Sequence, residues 1–315
     1  MPLTLLTINV WSGLNYRGRL RMGDLETASA RRERYRDLVA ELRALDSDII
    51  AVNEANPLPA YLRRLAADLG YDEVHHPGLS GVRLGPLGLP INLNEGDGLL
   101  ARRSLSLSMV GRAPLSGGIV GRRLSLNFGN ATQLVAGRVL MEGRPLYLLC
   151  THWSVATSAR EYESQQGCLP GTSADDRVYA KADRWRLQEA TRTLEHARRF
   201  VPEGAPAVLL GDLNAAPDSP EIERLRSAGW VDAWRHLHPG EPGSTWDQGR
   251  NQRIRDHYPA ARLAPHLAER VDYVLVNPVL GEGSLLEARV VLDGSSRRPH
   301  PSDHFGVLVR IGFGT

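Results

Sequence analysis

The chain has 315 residues, 42% of them hydrophobic and 23% charged, with Lys+Arg 38 against Asp+Glu 36 and a net charge of +2. That size suits one large α/β domain with a full core, taken here as residues 1–315. The balanced charge argues against a non-specific nucleic-acid binder, and no stretch approaches the ~20 apolar residues of a membrane span, which excludes an integral membrane segment.

Short apolar, β-rich runs alternate with helical patterns from the start. Residues 3–10 read as a strand and 27–45 as an amphipathic helix, with Leu38, Leu42 and Leu45 on one face and arginines on the other. A strand follows at 48–52, ending on Asn53-Glu54, then a short helix at 57–69 closed by Gly70. Strands are expected near 98–101, 105–110, 132–141 and 146–151, and a long helix over 177–200 with Asp175-Asp176 at its start. Residues 207–210 form the next strand and end at Gly211-Asp212. Ser219-Pro220 caps a helix that runs to 229. Strands at 271–276, 285–292 and 305–311 complete the pattern. Two segments, 75–94 and 154–176, read as long loops, the first rich in Gly, Pro and Leu. Loops of that length are either lids over a site or packed surface excursions.

Cys150, inside the apolar run 146–150, is expected as a buried thiol, and with Cys168 as the only other cysteine there is no disulfide framework. The N-terminus has no basic region ahead of its apolar residues, so a cytoplasmic location is the default expectation.

Polar side chains recur at the ends of the apolar runs. Glu54 after residues 49–52 either faces solvent or holds a hard metal ion, since Mg²⁺ prefers carboxylate oxygen. Asn9 interrupts an apolar strand, as an Asx turn or as an amide that fixes a metal or its water. His152 follows Cys150-Thr151, as a structural histidine or as a donor to a phosphate oxygen. Asp212 and Asn214 lie two apart after a strand-breaking glycine and point the same way. There the carboxylate can move a proton and the amide can donate to a developing oxyanion. Asp272 sits early in an apolar strand, where an acid needs a partner, and His304 would satisfy it. Ser302-Asp303-His304 places an acid and an imidazole at a strand mouth. Pairs such as His236/His238 and His75-His76 read as surface.

Taken in order, Asn-strand, strand-Glu, strand-Thr-His, strand-Gly-Asp-x-Asn, Arg-x-Asp-Tyr-strand and Ser-Asp-His resembles the endonuclease/exonuclease/phosphatase superfamily over nearly the whole chain, residues 7–305. Gly-Asp-x-Asn and Ser-Asp-His are its most specific parts. The resemblance implies a four-layer α/β/β/α sandwich of the DNase I-like kind, two packed mixed β-sheets flanked by helices. It implies Mg²⁺, or Mn²⁺ in its place, on Glu54 with Asn9 and Asp303 close by. It also implies His304, oriented by Asp272, as the group that activates or positions water. Asp212 would be the general acid or base, with Asn214 and His152 on the phosphoryl oxygens. The chemistry is metal-assisted displacement at phosphorus, without a covalent intermediate.

Thr-His after the strand is similar to the sphingomyelinase, deadenylase and phosphatase branches. Ser244-Thr245-Trp246-Asp247 with Asn251 resembles an element of sphingomyelinase-like and tyrosyl-DNA-phosphodiesterase-like members, in which Trp246 walls the pocket or simply packs. The apolar 75–94 segment points to a phosphoester with a lipid-like or small apolar part. Arg122-Arg123 and Arg297-Arg298 are candidate anion patches, and Arg298, just before the Ser-Asp-His turn, is a candidate substrate contact that keeps nucleic acid open.

Overall fold

The computed structural model describes residues 2–15, 24–77, 81–84, 87–88, 95–116, 119–120, 124–127, 132–154, 175–257, 268–296 and 299–313. Twelve strands form two six-stranded sheets. They are β1 (Pro2–Asn9), β2 (Ile49–Ala55), β3 (Tyr71–Pro77), β4 (Gly96–Arg102), β5 (Ser108–Pro114), β6 (Gln133–Met141), β7 (Arg144–His152), β8 (Ala207–Asp212), β9 (Val231–Asp232), β10 (Asp272–Val276), β11 (Leu285–Val291) and β12 (Gly306–Gly312). The first sheet runs β11-β12-β1-β2-β4-β3 and the second β9-β10-β8-β7-β6-β5. The main helices are α1 (Ala28–Leu45), α2 (Ala60–Leu69), α3 (Asp175–Phe200) and α4 (Pro220–Ser227).

Side chains alternate across each strand, so one run of apolar residues fills two layers. Leu3, Leu5, Ile49, Ala51 and Val309 face the other sheet and meet Val135, Leu148, Cys150, Val208 and Val274. Their neighbours Leu6, Ile8, Ile50, Val52 and Leu308 pack instead on Leu38, Leu42, Leu62 and Leu65 of α1 and α2. Behind the second sheet, Leu134, Leu149, Leu209 and Leu275 meet Ala190, Leu194, Ile222 and Leu225 of α3 and α4. The result is the expected four-layer α/β/β/α sandwich. Helix ends follow the sequence signals: Thr27 accepts from Ala30 N, Ser219 from Ile222 N, and Gly70 closes α2 at φ 76°. Cys150 is a buried free thiol.

Two expectations shift. The strand placed at 105–110 starts later, at Ser108 in β5, after a 3₁₀ turn at Arg103–Leu105. The segment 75–94 begins inside β3 and contains two further short strands, Gly81–Leu84 and Leu87–Gly88, that join Ile119–Val120 and Leu124–Asn127 in a four-stranded sheet. Gly and Pro there punctuate strands, and backbone pairing does not need an apolar pattern to form. Residues 155–174 of the second expected loop, with Cys168, lie outside the described residues, as do Arg122, Arg123, Arg297 and Arg298.

Each sheet contains one parallel pair, β1 with β2 and β7 with β8. A helix-bearing crossover after β1 and another after β7 return the chain to the same sheet edge. The register then aligns strand ends: Asn9 beside Asn53 in the first sheet, His152 beside Asp212 and Asp212 beside Asp272 in the second. The sandwich therefore gathers its polar strand ends at one mouth.

Candidate active site

The mouth is shaped by a bulge in β2. Val52 pairs with Gly98 and Ala55 with Gly96, so Asn53 and Glu54 together oppose Asp97. A bulge re-aims side chains, and Glu54 takes φ 56° to do so, a region that few residues other than glycine adopt. Glu54 Oε1 accepts from Asn9 Nδ2 at 2.9 Å and Oε2 from Ser12 N at 2.9 Å. Asn53 points between the sheets. It donates to Asp97 Oδ1 at 2.8 Å and to Thr151 O at 3.1 Å, and its Oδ1 accepts from Asp212 N at 3.0 Å.

At the end of β8, Gly211 sits at φ 145°, and a Cβ there would lie 1.9 Å from Thr151 O. Only glycine lets β8 approach β7 this closely. Asp212 follows and is 1% exposed. Its Oδ1 accepts from Asn214 N at 2.9 Å. Its Oδ2 accepts from Asn9 Nδ2 at 3.0 Å, and two imidazoles approach the same oxygen, His152 Nε2 at 3.5 Å and His304 Nε2 at 3.7 Å.

His304 is fixed from behind. Its Nδ1 lies 2.9 Å from Asp272 Oδ2, a contact that holds the ring in one orientation and leaves Nε2 to face the cleft. The turn that carries it is held by Ser302 Oγ, which donates to Asn9 O at 2.6 Å. The Arg34 guanidinium of α1 ties the end of β1 to the turn before β12, donating to Val10 O at 2.6 Å and to Pro301 O at 3.3 Å.

The electrostatics follow from burial of acids beside imidazoles. Burial opposes a charge on His152, but Asp212, Glu54, Asp97 and Glu95 outweigh it and lift its pKa to about 9. Burial also opposes a charge on His304, and Asp272 and Asp212 hold it well above the usual histidine value. Glu95 goes the other way: burial, then the neighbouring Glu54 carboxylate, push it up to about 8. Burial raises Asp97 to about 6. Glu54 resists its burial because His152 and the Asn9 amide favour its ionised form, leaving it below the ordinary value.

These residues suit a hard divalent cation. Ligand atoms of Glu54, Glu95 and His152 lie within 4.8 Å of one another, as do those of Asp212, Asp272 and His304. The Glu54 carboxylate raises the proton affinity of Glu95, and two acids this close gain from a cation placed between them, with oxygen donors that match Mg²⁺. His152 Nε2 and Asp272 Oδ1 are buried with no hydrogen-bond partner among the described residues.

The structure thus brings together Asn9, Glu54, His152, Asp212, Asn214, Asp272 and His304. Asn9 is both the Asx turn, its Oδ1 accepting from Trp11 N at 2.9 Å, and the amide between two carboxylates. Asn214 Nδ2 donates to Trp153 O at 2.9 Å, which commits one of its two amide protons. Asp303 is buried and meets Ser302 Oγ at 3.3 Å, but it belongs to neither group of clustered ligand atoms. Trp246 is half-buried in a two-stranded ribbon with Ala268–Glu269, and Arg298 lies outside the described residues. Glu95, Asp97, Asn53 and Ser12 escape the sequence reading. Glu95 and Asp97 flank the first residue of β4, and the polar-then-apolar step at 95–99 was their only signal.

The chain matches the Endonuclease/Exonuclease/phosphatase family model over residues 6–304. It belongs to that family. The family's enzymes are hydrolases acting on phosphoester bonds and generally use divalent metals. Among solved structures, the chain is similar to D. rerio TDP2 complexed with single strand DNA product, at 16% identity over 99% of each chain and a TM-score of 0.63. It is equally similar to an endonuclease/exonuclease/phosphatase family protein from Bacteroides thetaiotaomicron, at 16% identity over 100% of this chain and 99% of that one, TM-score 0.63. Truncated Caenorhabditis elegans TDP2 aligns at 14% identity over 98% and 97%, TM-score 0.62. Among curated proteins no sequence matches. These likenesses confirm the DNase I-like fold. No described helix is long and apolar enough to cross a membrane.

Proposed function

We propose that the chain is a divalent-metal-dependent phosphodiesterase that hydrolyses a P–O bond by direct attack of water, and that its substrate is a lipid-type or other small phosphodiester. The observation that carries the reaction type is the convergence on Asp212 Oδ2 of Asn9, His152 and His304, with Asn9 also on Glu54.

In this reading His304 orients or deprotonates the attacking water through Nε2, while Asp272 keeps the ring in place and stabilises its protonated form. Asp212, within reach of both imidazoles, takes or returns the proton of the reacting oxygens. His152, charged and with no hydrogen bond from Nε2 among the described residues, donates to a non-bridging phosphoryl oxygen, and the remaining amide proton of Asn214 supports a second. Glu54 and Glu95 would hold the cation and Asn9 and Ser12 orient the Glu54 carboxylate, while Asp303, expected beside them, lies outside both groups of clustered ligand atoms. The cation, when bound, offsets charge on the phosphoryl and leaving oxygens. Water is the nucleophile, so no covalent adduct forms.

The lipid-type lean is supported by the composition of residues 75–94, with Leu79, Val82, Leu84, Leu87, Leu89, Ile91 and Leu93, and by the small net charge. A second reading, a DNA or RNA phosphodiester, is favoured by the likeness to the TDP2 structure that holds a single strand DNA product. Hydrolysis of bis(p-nitrophenyl) phosphate, sphingomyelin, lysophospholipids, nucleotides and plasmid DNA with Mg²⁺ or Mn²⁺ decides between them. Turnover of none of these overturns the proposed reaction. EDTA-sensitive plasmid nicking that falls steeply with salt, with the lipids left intact, overturns the lipid-type reading in favour of nucleic acid.

A further inference from the structure

The Thr245–Asn251 segment holds both halves of the Asp272–His304 pair from outside the two main sheets. Thr245 is fully buried. Its Oγ1 accepts from Val271 N and from Asp272 N, both at 3.1 Å, which fixes the backbone on which Asp272 stands. Its carbonyl accepts from Phe305 N at 2.6 Å, one residue beyond His304. Asn251, also fully buried, donates from Nδ2 to Ser302 O at 3.0 Å, two residues before His304. Its own Oδ1 accepts from Arg253 N at 2.9 Å, so the amide is held in one orientation. Between them, Asp247 Oδ1 accepts from Gly249 N at 2.9 Å and Arg250 N at 3.0 Å and closes the turn that sets the spacing of Thr245 and Asn251.

The consequence is geometric. Asp272 begins β10 of the second sheet, and His304 precedes β12 of the first. The 2.9 Å contact between their side chains therefore crosses from one sheet to the other. Nothing in either sheet's own ladder sets that distance. The backbone at Asp272, at Ser302 and at Phe305 is tied to one short segment, and every tie is buried.

We infer that Thr245 and Asn251 are positioning residues of the active site, a brace that sets the Asp272–His304 distance and thereby the aim of His304 Nε2. This rests on the phosphodiesterase reading for its consequence in turnover, but the brace itself has a readout independent of any substrate. A buried Nδ1–H shared with a carboxylate gives a strongly downfield proton resonance, and Asp272→Asn and His304→Gln assign it in the metal-free protein.

Thr245→Val keeps the shape and removes the hydroxyl acceptor. Asn251→Asp keeps the acceptor and removes the donor. Each is expected to shift or broaden the downfield resonance and, on a substrate that the wild type hydrolyses, to lower kcat by about 10- to 100-fold with KM changed less than about threefold, the range seen when an outer-shell partner is lost. Thr245→Ser, which restores the hydroxyl, is expected to recover both. Circular dichroism and melting temperature confirm that each variant is folded, and if Asn251→Asp fails to fold, the Thr245 pair alone decides. A folded Thr245→Val with an unmoved resonance overturns the brace, as does one with unchanged kcat, or a loss of both that Thr245→Ser does not recover. If the wild type hydrolyses nothing, the phosphodiesterase reading fails by itself, and the resonance alone still tests the brace.

Discussion

The side-chain amide of Asn9, at the end of a first-sheet strand, donates to the Asp212 carboxylate of the second sheet at 3.0 Å while the same nitrogen serves Glu54 at 2.9 Å. One nitrogen thus supplies protons to two acids that would otherwise repel. Hydrogen bonds to charged groups are worth roughly 1.5–3 kcal/mol each. Asn9→Ala is therefore expected to lower kcat/KM by on the order of 100-fold, and Asn9→Asp, which adds a third carboxylate, by more. Steady-state kinetics on folded variants checks this; a loss below about threefold for Asn9→Ala means that the amide is not holding the two acids.

Asn9 also shows how far the residues could be read before the fold. The Leu5/Leu6 and Ile49/Ile50 alternation marks strands buried on both faces, which is why the layers were legible. Strand-end acids and imidazoles were legible because a charge after an apolar run is conspicuous. Glu95 and Asp97 were not, because they alternate with glycines after Asn92-Leu93-Asn94 and the step to apolar residues comes only at Leu99. Asn53 was read only as the end of its strand, and the bulge in β2 shows that it crosses to Asp212. Thr245 and Asn251 were visible as a motif, but their partners at Val271, Asp272, Ser302 and Phe305 lie far along the chain and on other elements, a relationship that no local pattern carries. The loop expected at 75–94 gave way in part to strands because Gly and Pro were read as loop although short paired strands tolerate them at their ends.

Metal binding has a signature apart from turnover. A cation that binds only the folded protein stabilises it by about 2.7 kcal/mol at 100 times its Kd. Mg²⁺ or Mn²⁺ is expected to raise the melting temperature of the wild type by several degrees, and EDTA to reverse this. Glu54→Gln removes the carboxylate charge while keeping an oxygen for Asn9, and its melting temperature should be nearly indifferent to the ion. An equal metal response in wild type and Glu54→Gln would place the cation elsewhere.

Asp272 is the acid behind His304, with its Oδ2 on Nδ1 at 2.9 Å. Asp272→Asn preserves the size of the side chain but can present an N–H to the ring and favour the other tautomer. Orienting acids of this kind carry roughly 10³- to 10⁴-fold in kcat. The expected result is a loss of that order in kcat with KM little changed, and a pH–rate profile whose histidine limb moves to lower pH, since the carboxylate that raises the imidazole pKa is gone. An unaltered profile would show that His304 is not the titrating group.

Asp97 provides a test in which stability, not catalysis, is read. Burial raises its pKa to about 6 in the folded protein, against roughly 3.9 in an unfolded chain. An acid whose folded-state pKa is raised binds its proton more tightly when folded. Stability is therefore undiminished below about pH 4, falls as pH climbs through the interval between the two values, and stays lower above about pH 6. At about 1.4 kcal/mol per pH unit the cost above that interval is on the order of 3 kcal/mol. Asp97→Asn keeps an oxygen to accept from Asn53 Nδ2 and cannot ionise. In EDTA, its melting temperature should exceed that of the wild type at pH 7.5 and converge with it near pH 4. The divergence should open between those values, where only the wild type loses a proton. A gap of the same size at both ends would assign the effect to packing, because packing does not change with pH while the ionisation of a buried carboxylate must.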